Sequence, residues 1–149
     1  MKLIEIDEHG KVAVPINLTD LINDIMSSTA GLYAGTGYTP PWIGYLSLEE
    51  EQCAGTCAFK SPPENNRVEI AYFTLPDFEG RGIATRMAQA LIRIAFDTMP
   101  DLTIAAQTLP EENASTTVLK KLGFRFVTEL EHPEDGKVWE WQLKNSGRD

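Results

Sequence analysis

Glu69-Ile70-Ala71-Tyr72-Phe73-Thr74-Leu75-Pro76-Asp77-Phe78-Glu79-Gly80-Arg81-Gly82-Ile83-Ala84-Thr85 is the stretch from which the fold can be read. Ile70, Tyr72 and Thr74 alternate with Ala71, Phe73 and Leu75, which predicts a strand buried on part of both faces. Pro76 has no N–H to donate and ends regular pairing. Gly80 and Gly82 permit positive φ and keep a Cβ out of a ligand's way. A long amphipathic helix opens at Ile83, and its first N–H groups lack intrahelical partners. Together with the helix dipole they favour a diphosphate, to which Arg81 adds a cation. The plain alternative is a glycine turn without a ligand.

Two commoner phosphate loops do not fit. A P-loop needs Lys-Ser/Thr after its last glycine, and Ile83-Ala84 follow Gly82; a dinucleotide fingerprint needs three glycines early in its unit.

A second motif runs from Thr108 to Phe124. It reads as a loop, a polar-capped helix start, an apolar stripe (Val118, Leu119, Leu122) and a Lys-rich last turn closed by Gly123. Alone, this is a capped helix packing on a sheet.

Together the motifs are specific. Glu-Gly-Arg-Gly-Ile-Ala-Thr after a strand resembles the acetyl-CoA loop of the GNAT superfamily of N-acetyltransferases, with Gly82 and Ala84 at matching positions. Glu79 stands where Gln or Arg is usual, and is expected to face solvent. Asn113-x-Ser115 followed by Val-Leu-x-Lys-x-Gly-Phe resembles the RimJ/RimL-type subgroup, which contains the ribosomal-protein alanine acetyltransferases. The resemblance is strong from about Trp42 to Leu143 and poor before Tyr38.

The resemblance implies a reaction: transfer of acetyl from the cosubstrate acetyl-CoA to a primary amine (a protein N-terminus, an amino acid or a small amine). It implies that the strand edge Phe73-Thr74-Leu75 pairs with the pantetheine amides. An N–H near Phe73 would polarise the acetyl carbonyl. The diphosphate would lie over Gly80, Arg81, Gly82, Ile83, Ala84 and Thr85. Many relatives carry a Tyr general acid four residues before the second motif's Gly; Leu119 stands there, so Ser115 is the candidate donor to the departing thiolate, directly or through water. Asn113 would bind the pantetheine arm or the acceptor. Glu69 is the candidate base, or else a cross-strand ion-pair partner of Lys60 or Arg67. Tyr33, Tyr38, Trp42 and Tyr72 are candidates for the acceptor pocket, against the alternative of packing.

Composition sets wider bounds. A chain of 149 residues is expected to form a single domain with a proper core, with a frayed tail over 144–149. No apolar run is long enough to span a membrane, and the first residues lack a signal peptide's layout, so a cytoplasmic location is expected. A formal charge of −9 argues against nucleic-acid binding. It would either steer a cationic acceptor or only keep the protein soluble. Cys53 and Cys57 are expected on one face of one strand, reduced and unbridged. No metal-ligand cluster is visible. GNAT proteins often form homodimers, though no sequence feature marks an interface.

The expected architecture is α/β (α+β): a mixed, mostly antiparallel central sheet, splayed at the acetyl-CoA site and flanked by helices. An N-terminal hairpin pairs Leu3–Ile6 with Lys11–Val14, a helix follows Asn17 or Thr19, and Gly31–Pro41 is loop. Paired strands flank Glu49–Gln52, and the remaining elements alternate to a final hairpin around Glu134-Asp135-Gly136. Two other functions stay open: a catalytically idle acyl-CoA-binding sensor or assembly module, which shares the fold and cofactor loop, and a remote nucleotide-binding module.

Overall fold

The structure is a computed structural model that describes residues 1–145. The elements follow in the order β1 (Lys2–Glu5), α1 (Asp20–Thr36), β2 (Gly44–Glu49), β3 (Gln52–Phe59), β4 (Arg67–Thr74), α2 (Ile83–Thr98), β5 (Thr103–Thr108), α3 (Ala114–Lys121), β6 (Arg125–His132) and β7 (Gly136–Lys144). They build a seven-stranded sheet in the order β1-β2-β3-β4-β5-β7-β6. Among the described residues only the β4–β5 pair is parallel, joined through α2. This is the mixed, mostly antiparallel sheet that the sequence pattern predicts.

Helices cover both faces. Ile83, Met87, Leu91, Ile92 and Ala95 recur at helical spacing on α2 and are buried with Val68, Ile70 and Ile104 of the sheet. Leu119 of α3 joins the same core. On the other face Ile22 and Met26 of α1 bury Ile4, Leu46, Leu48 and Leu75.

Several expectations fail at the N-terminal end. Residues 11–14 form no strand. Asp7 Oδ1 accepts the N–H groups of His9 and Lys11, each at 2.9 Å, and folds the segment into a closed turn. β1 pairs instead with β2. Thr19 does cap α1, accepting the Ile22 N–H at 3.2 Å. The helix then runs through Gly31 and Gly35 to Thr36, because its buried stripe continues to Tyr33 and outweighs two glycines' propensity cost. Lys144 closes β7 and Asn145 donates to the Pro100 carbonyl at 3.2 Å. The rest of the expected frayed tail, 146–149, lies outside the described residues.

Cys53 and Cys57 are unbridged, as expected, but sit on opposite faces, Cys53 in the α1-side cluster and Cys57 in the α2-side core. Ser47 pairs with Gly55 while Leu48 pairs with Cys53, so Ala54 is an extra residue. A bulge of this kind reverses the alternation.

Beyond α1, the sheet face carries an ionic network. Glu69 Oε2 lies 2.9 Å from Lys60 Nζ, and Oε1 lies 3.7 Å from Arg67, which also pairs with Glu140. Ala105 on the intervening β5 leaves room for that reach. Burial pushes the Glu140 carboxyl up, but hydrogen bonds from Arg67, Gln142 and Gln107 outweigh it and leave the pKa below its ordinary 4.5. A lowered folded-state pKa adds stability above the unfolded value, lost as pH falls through the folded one. Glu140→Gln should therefore lower stability at pH 7 by about 1.5 kcal/mol, the low end for a charged hydrogen bond. In urea titrations the gap to wild type should narrow as the pH falls below 4.5.

Candidate active site

The β4–β5 ladder runs from Arg67↔Thr103 to Ile70↔Ala106 and stops. Beyond it the strands part, which is the splay expected at this point. Which backbone groups this frees follows from β4's other edge. Leu75 N–H donates to the Ala54 carbonyl at 2.8 Å, and Lys60 N–H donates to the Glu69 carbonyl at 2.9 Å. Both belong to hydrogen-bonded pairs of the β3–β4 ladder, so Thr56–Phe73 and Ala58–Ala71 between them are bonded pairs too. The odd-numbered residues of β4 thus spend their N–H and C=O on β3. Tyr72 and Thr74 turn theirs towards the splay. This corrects the expectation for Phe73 and Leu75: their N–H groups are already used, and the donors facing the gap are Tyr72 and Thr74.

A cavity of about 530 Å³ extends from the splay to the start of α2, bordered by Phe73, Thr74, Gly80, Gly82, Thr85 and Ser115 among others. Ile83, Ala84 and the neighbouring Phe78, Ala114 and Val118 complete its wall. Gly80 and Gly82 take φ of +78° and +75°. A Cβ at either would meet nothing within 4 Å, so the hollow above them is open backbone. Gly82 is the N-cap of α2, and no side chain caps that helix. Its first intrahelical bond is Arg86 N–H to the Gly82 carbonyl at 3.1 Å, leaving the N–H groups of Ile83, Ala84 and Thr85 without helical partners. No acidic residue occupies the first turn. Such donors suit a diphosphate, so the residues present fit acetyl-CoA at this end. Arg81 is exposed, stacked over the Phe78 ring at 5.1 Å. Glu79 is exposed as expected, though it borders the same cavity.

A second cavity of about 100 Å³ opens in the splay itself, bordered by Glu69, Tyr72, Gln107, Thr108 and Ser115. Ser115 borders both cavities, from the first turn of α3. The start of a helix favours a developing anion there. Tyr72 also borders both, and burial pushes its phenol up to about 12, so it stays protonated.

Other expected site residues are placed differently. Asn113 is the N-cap of α3: its side chain accepts the Thr116 N–H at 3.1 Å, and Thr116 Oγ1 accepts the Asn113 N–H at 2.9 Å. It borders neither cavity. Tyr33 is buried; its hydroxyl donates to the Ile6 carbonyl at 2.9 Å and accepts the Gly44 N–H at 2.8 Å. Trp42 is buried edge-on against Phe59, and Tyr38 packs edge-on against Tyr33. These three do not border the splay; of the proposed acceptor-pocket aromatics Tyr72 does. Leu119 is fully buried in the core and borders neither cavity. Glu69 borders the splay cavity and is 14% exposed, held by Lys60 and Arg67. Sequence reading does not mark Gln107, Thr108 and Val118 as site residues; Thr108 and Val118 lie within the second motif and Gln107 just before it, but only the splay brings them to the site.

Among the described residues no group of His, Cys, Asp or Glu could hold a metal ion, and no helix is long and apolar enough to cross a membrane.

The comparisons with known proteins agree with the fold. A family model described as an acetyltransferase (GNAT) domain matches residues 12–125. The fold is similar to that of RimL, a ribosomal L7/L12 alpha-N-protein acetyltransferase solved with coenzyme A (TM-score 0.67, 18% identity, 87% of this chain and 75% of that one). It is similar to a GNAT-family acetyltransferase from Bacillus anthracis (TM-score 0.65, 18% identity, 87% and 76% covered). It is also similar to the microcin C7 self-immunity acetyltransferase MccE, solved with acetyl-CoA and AMP (TM-score 0.67, 16% identity, 86% and 72% covered). No curated protein sequence matches the chain.

Proposed function

This chain belongs to the GNAT acetyltransferase family, and from that premise we propose that it moves acetyl from acetyl-CoA to a primary amine by direct attack, in the manner of the RimJ/RimL-type enzymes. The observation that carries the proposal is Ser115, which borders the cosubstrate cavity and the splay cavity alike. The cosubstrate supplies an activated thioester; this chain's residues position it, stabilise charge and move protons. Ile83, Ala84 and Thr85 N–H groups hold the diphosphate, with the exposed Arg81, stacked on Phe78 of the cavity wall, adding a cation nearby. Tyr72 and Thr74 present backbone N–H groups to the splay, where negative charge develops on the acetyl oxygen. Holding thioester and amine in one gap removes the entropy cost of their meeting. Ser115 gives a proton to the departing sulfur. Glu69 is the carboxylate bordering the splay cavity, and the amine's proton leaves towards it; Lys60 and Arg67 fix its position. The acidic chain is read as a soluble acetyltransferase without nucleic-acid or membrane partners, working in the cytoplasm.

The competing reading is an idle acyl-CoA-binding sensor. Coenzyme A thiol release, followed across amines and short peptides, separates the two. The proposal expects release that depends on the acceptor; tight acetyl-CoA binding with no release above the acceptor-free rate would favour the sensor.

A further inference from the structure

The acceptor side of the splay has its own architecture. A cavity of about 130 Å³ lies on the α1 face, bordered by Thr29 of α1, Thr56 and Ala58 of β3, and Ala71 and Phe73 of β4. A larger one, about 1020 Å³, lies at the N-terminal end of α1, between the 14–19 segment, the β2–β3 turn and the chain after β4. Leu21 and Ile22 of α1, Cys53 of β3 and Leu75 just beyond β4 border it.

α1 and β3 contribute to both cavities, and Leu75 carries the line of β4 into the larger one. Phe73 and Leu75 are two apart on one side of the same extended chain, and Leu21 and Thr29 are two helical turns apart. Taken in line along α1, the two cavities mark out a groove with α1 as its wall. Leu21 and Thr29, which border the cavities, share one helical face with Ile25 and Leu32, at positions i, i+8, i+4 and i+11. Leu21 and Leu32 are 44% and 41% exposed, and Phe73 in the floor is 46% exposed. The opposite flank of α1 is closed by the Gly10 turn, where an added Cβ would sit 3.0 Å from the Met26 carbonyl and 3.2 Å from Ala30.

The smaller cavity contains no charged side chain. The larger is mostly apolar, with Glu50, Glu51 and Asp77 among its bordering residues against Lys2 and Met1, whose N-terminal ammonium pairs with Glu49. From Ala71 to Leu75 the floor spans roughly 13 Å at about 3.3 Å per residue.

We infer that the acceptor is an amine carried on an elongated apolar body: the amine lies at the splay and the body along the groove between α1 and the β3–β4 floor. This rests on the acetyl-transfer reading above and adds to it the class of acceptor. Neutral and cationic far ends suit the acidic surroundings of the larger cavity; a carboxylate there is repelled.

The test begins by calorimetry of acetyl-CoA, then titrates propylamine, hexylamine, octylamine and 8-aminooctanoate into the protein saturated with coenzyme A. Affinity should rise about threefold to fourfold per methylene up to octylamine, as for apolar carbon leaving water. The 8-aminooctanoate should bind more weakly than octylamine. Leu21→Glu on the exposed wall, and Ala58→Leu in the floor, should each flatten the series. A flat series in wild type, or a rising one that neither variant alters, overturns the acceptor class while leaving acetyl transfer intact. A dimer in sedimentation that octylamine fails to dissociate, with a flat series, would assign the groove to a second copy of the chain and overturn it too. Failure of acetyl-CoA to bind in the first step overturns the underlying reading.

Discussion

Gly82→Asp should abolish acetyl-CoA binding, with affinity falling at least ~100-fold, while the fold survives. Gly82 sits at φ +75° with open space where its Cβ would stand, so the substitution need not disturb the core. The backbone cost is that of a non-glycine residue in the left-handed region, about 1–2 kcal/mol. The larger effect is electrostatic. A carboxylate at the start of α2 competes for the N–H groups of Ile83, Ala84 and Thr85, and repels a diphosphate. Two like charges at about 4 Å cost about 4 kcal/mol at an effective dielectric near 20. That energy corresponds to roughly a thousandfold, before screening reduces it. Gly82→Ala is the control: it adds the Cβ and the strain without the charge, and should weaken binding far less. Calorimetry reads the affinities, and thermal melts confirm that both variants fold. Equal losses in the two would assign the effect to backbone strain.

Ser115→Ala should leave acetyl-CoA affinity nearly unchanged and slow acetyl transfer by about a hundredfold, the lower end for a positioned proton donor. The side chain is half-buried in the first turn of α3, where alanine is a good helix residue, so the fold is not at stake. The loss should appear in kcat more than in KM, because a donor to the leaving sulfur acts only as the bond breaks. Full turnover under chemistry-limited conditions would remove Ser115 from the mechanism. Tyr72→Phe would then be the decisive second variant, since its phenol borders the same two cavities and stays protonated to about pH 12.

The parts of the site legible in the sequence are those made by one continuous segment. The turn from Pro76 to Gly82 and the helix after it announce themselves, because proline, two glycines and a helical stripe act locally. The Asn113–Gly123 helix is legible for the same reason, including its end at Gly123. What the sequence hides depends on pairing. Phe73 and Tyr72 read alike along the strand; only the Leu75–Ala54 bond decides which of them faces the gap. Asn113 looked like a ligand contact because of its motif, yet its geometry is that of a cap, a role its residue type also predicts. The bulge at Ala54, which separates Cys53 from Cys57, leaves no mark in composition. The N-terminal region was the least legible. Alternation in Lys11–Val14 suggested a strand, but β2 offered β1 an edge and Asp7 closed the turn instead. Tyr33 and Trp42 look like pocket aromatics in a sequence, but α1 runs on past Gly31 and carries Tyr33 into the core, where Trp42 is buried too.

In the proposed mechanism the start of α2 holds the diphosphate of acetyl-CoA. The most direct test compares coenzyme A with pantetheine, which lacks the diphosphate, by calorimetry on the wild-type protein. Coenzyme A should bind and pantetheine should bind more than tenfold more weakly, a difference above about 1.4 kcal/mol. Equal affinity for the two, or no binding of coenzyme A at all, would contradict the account.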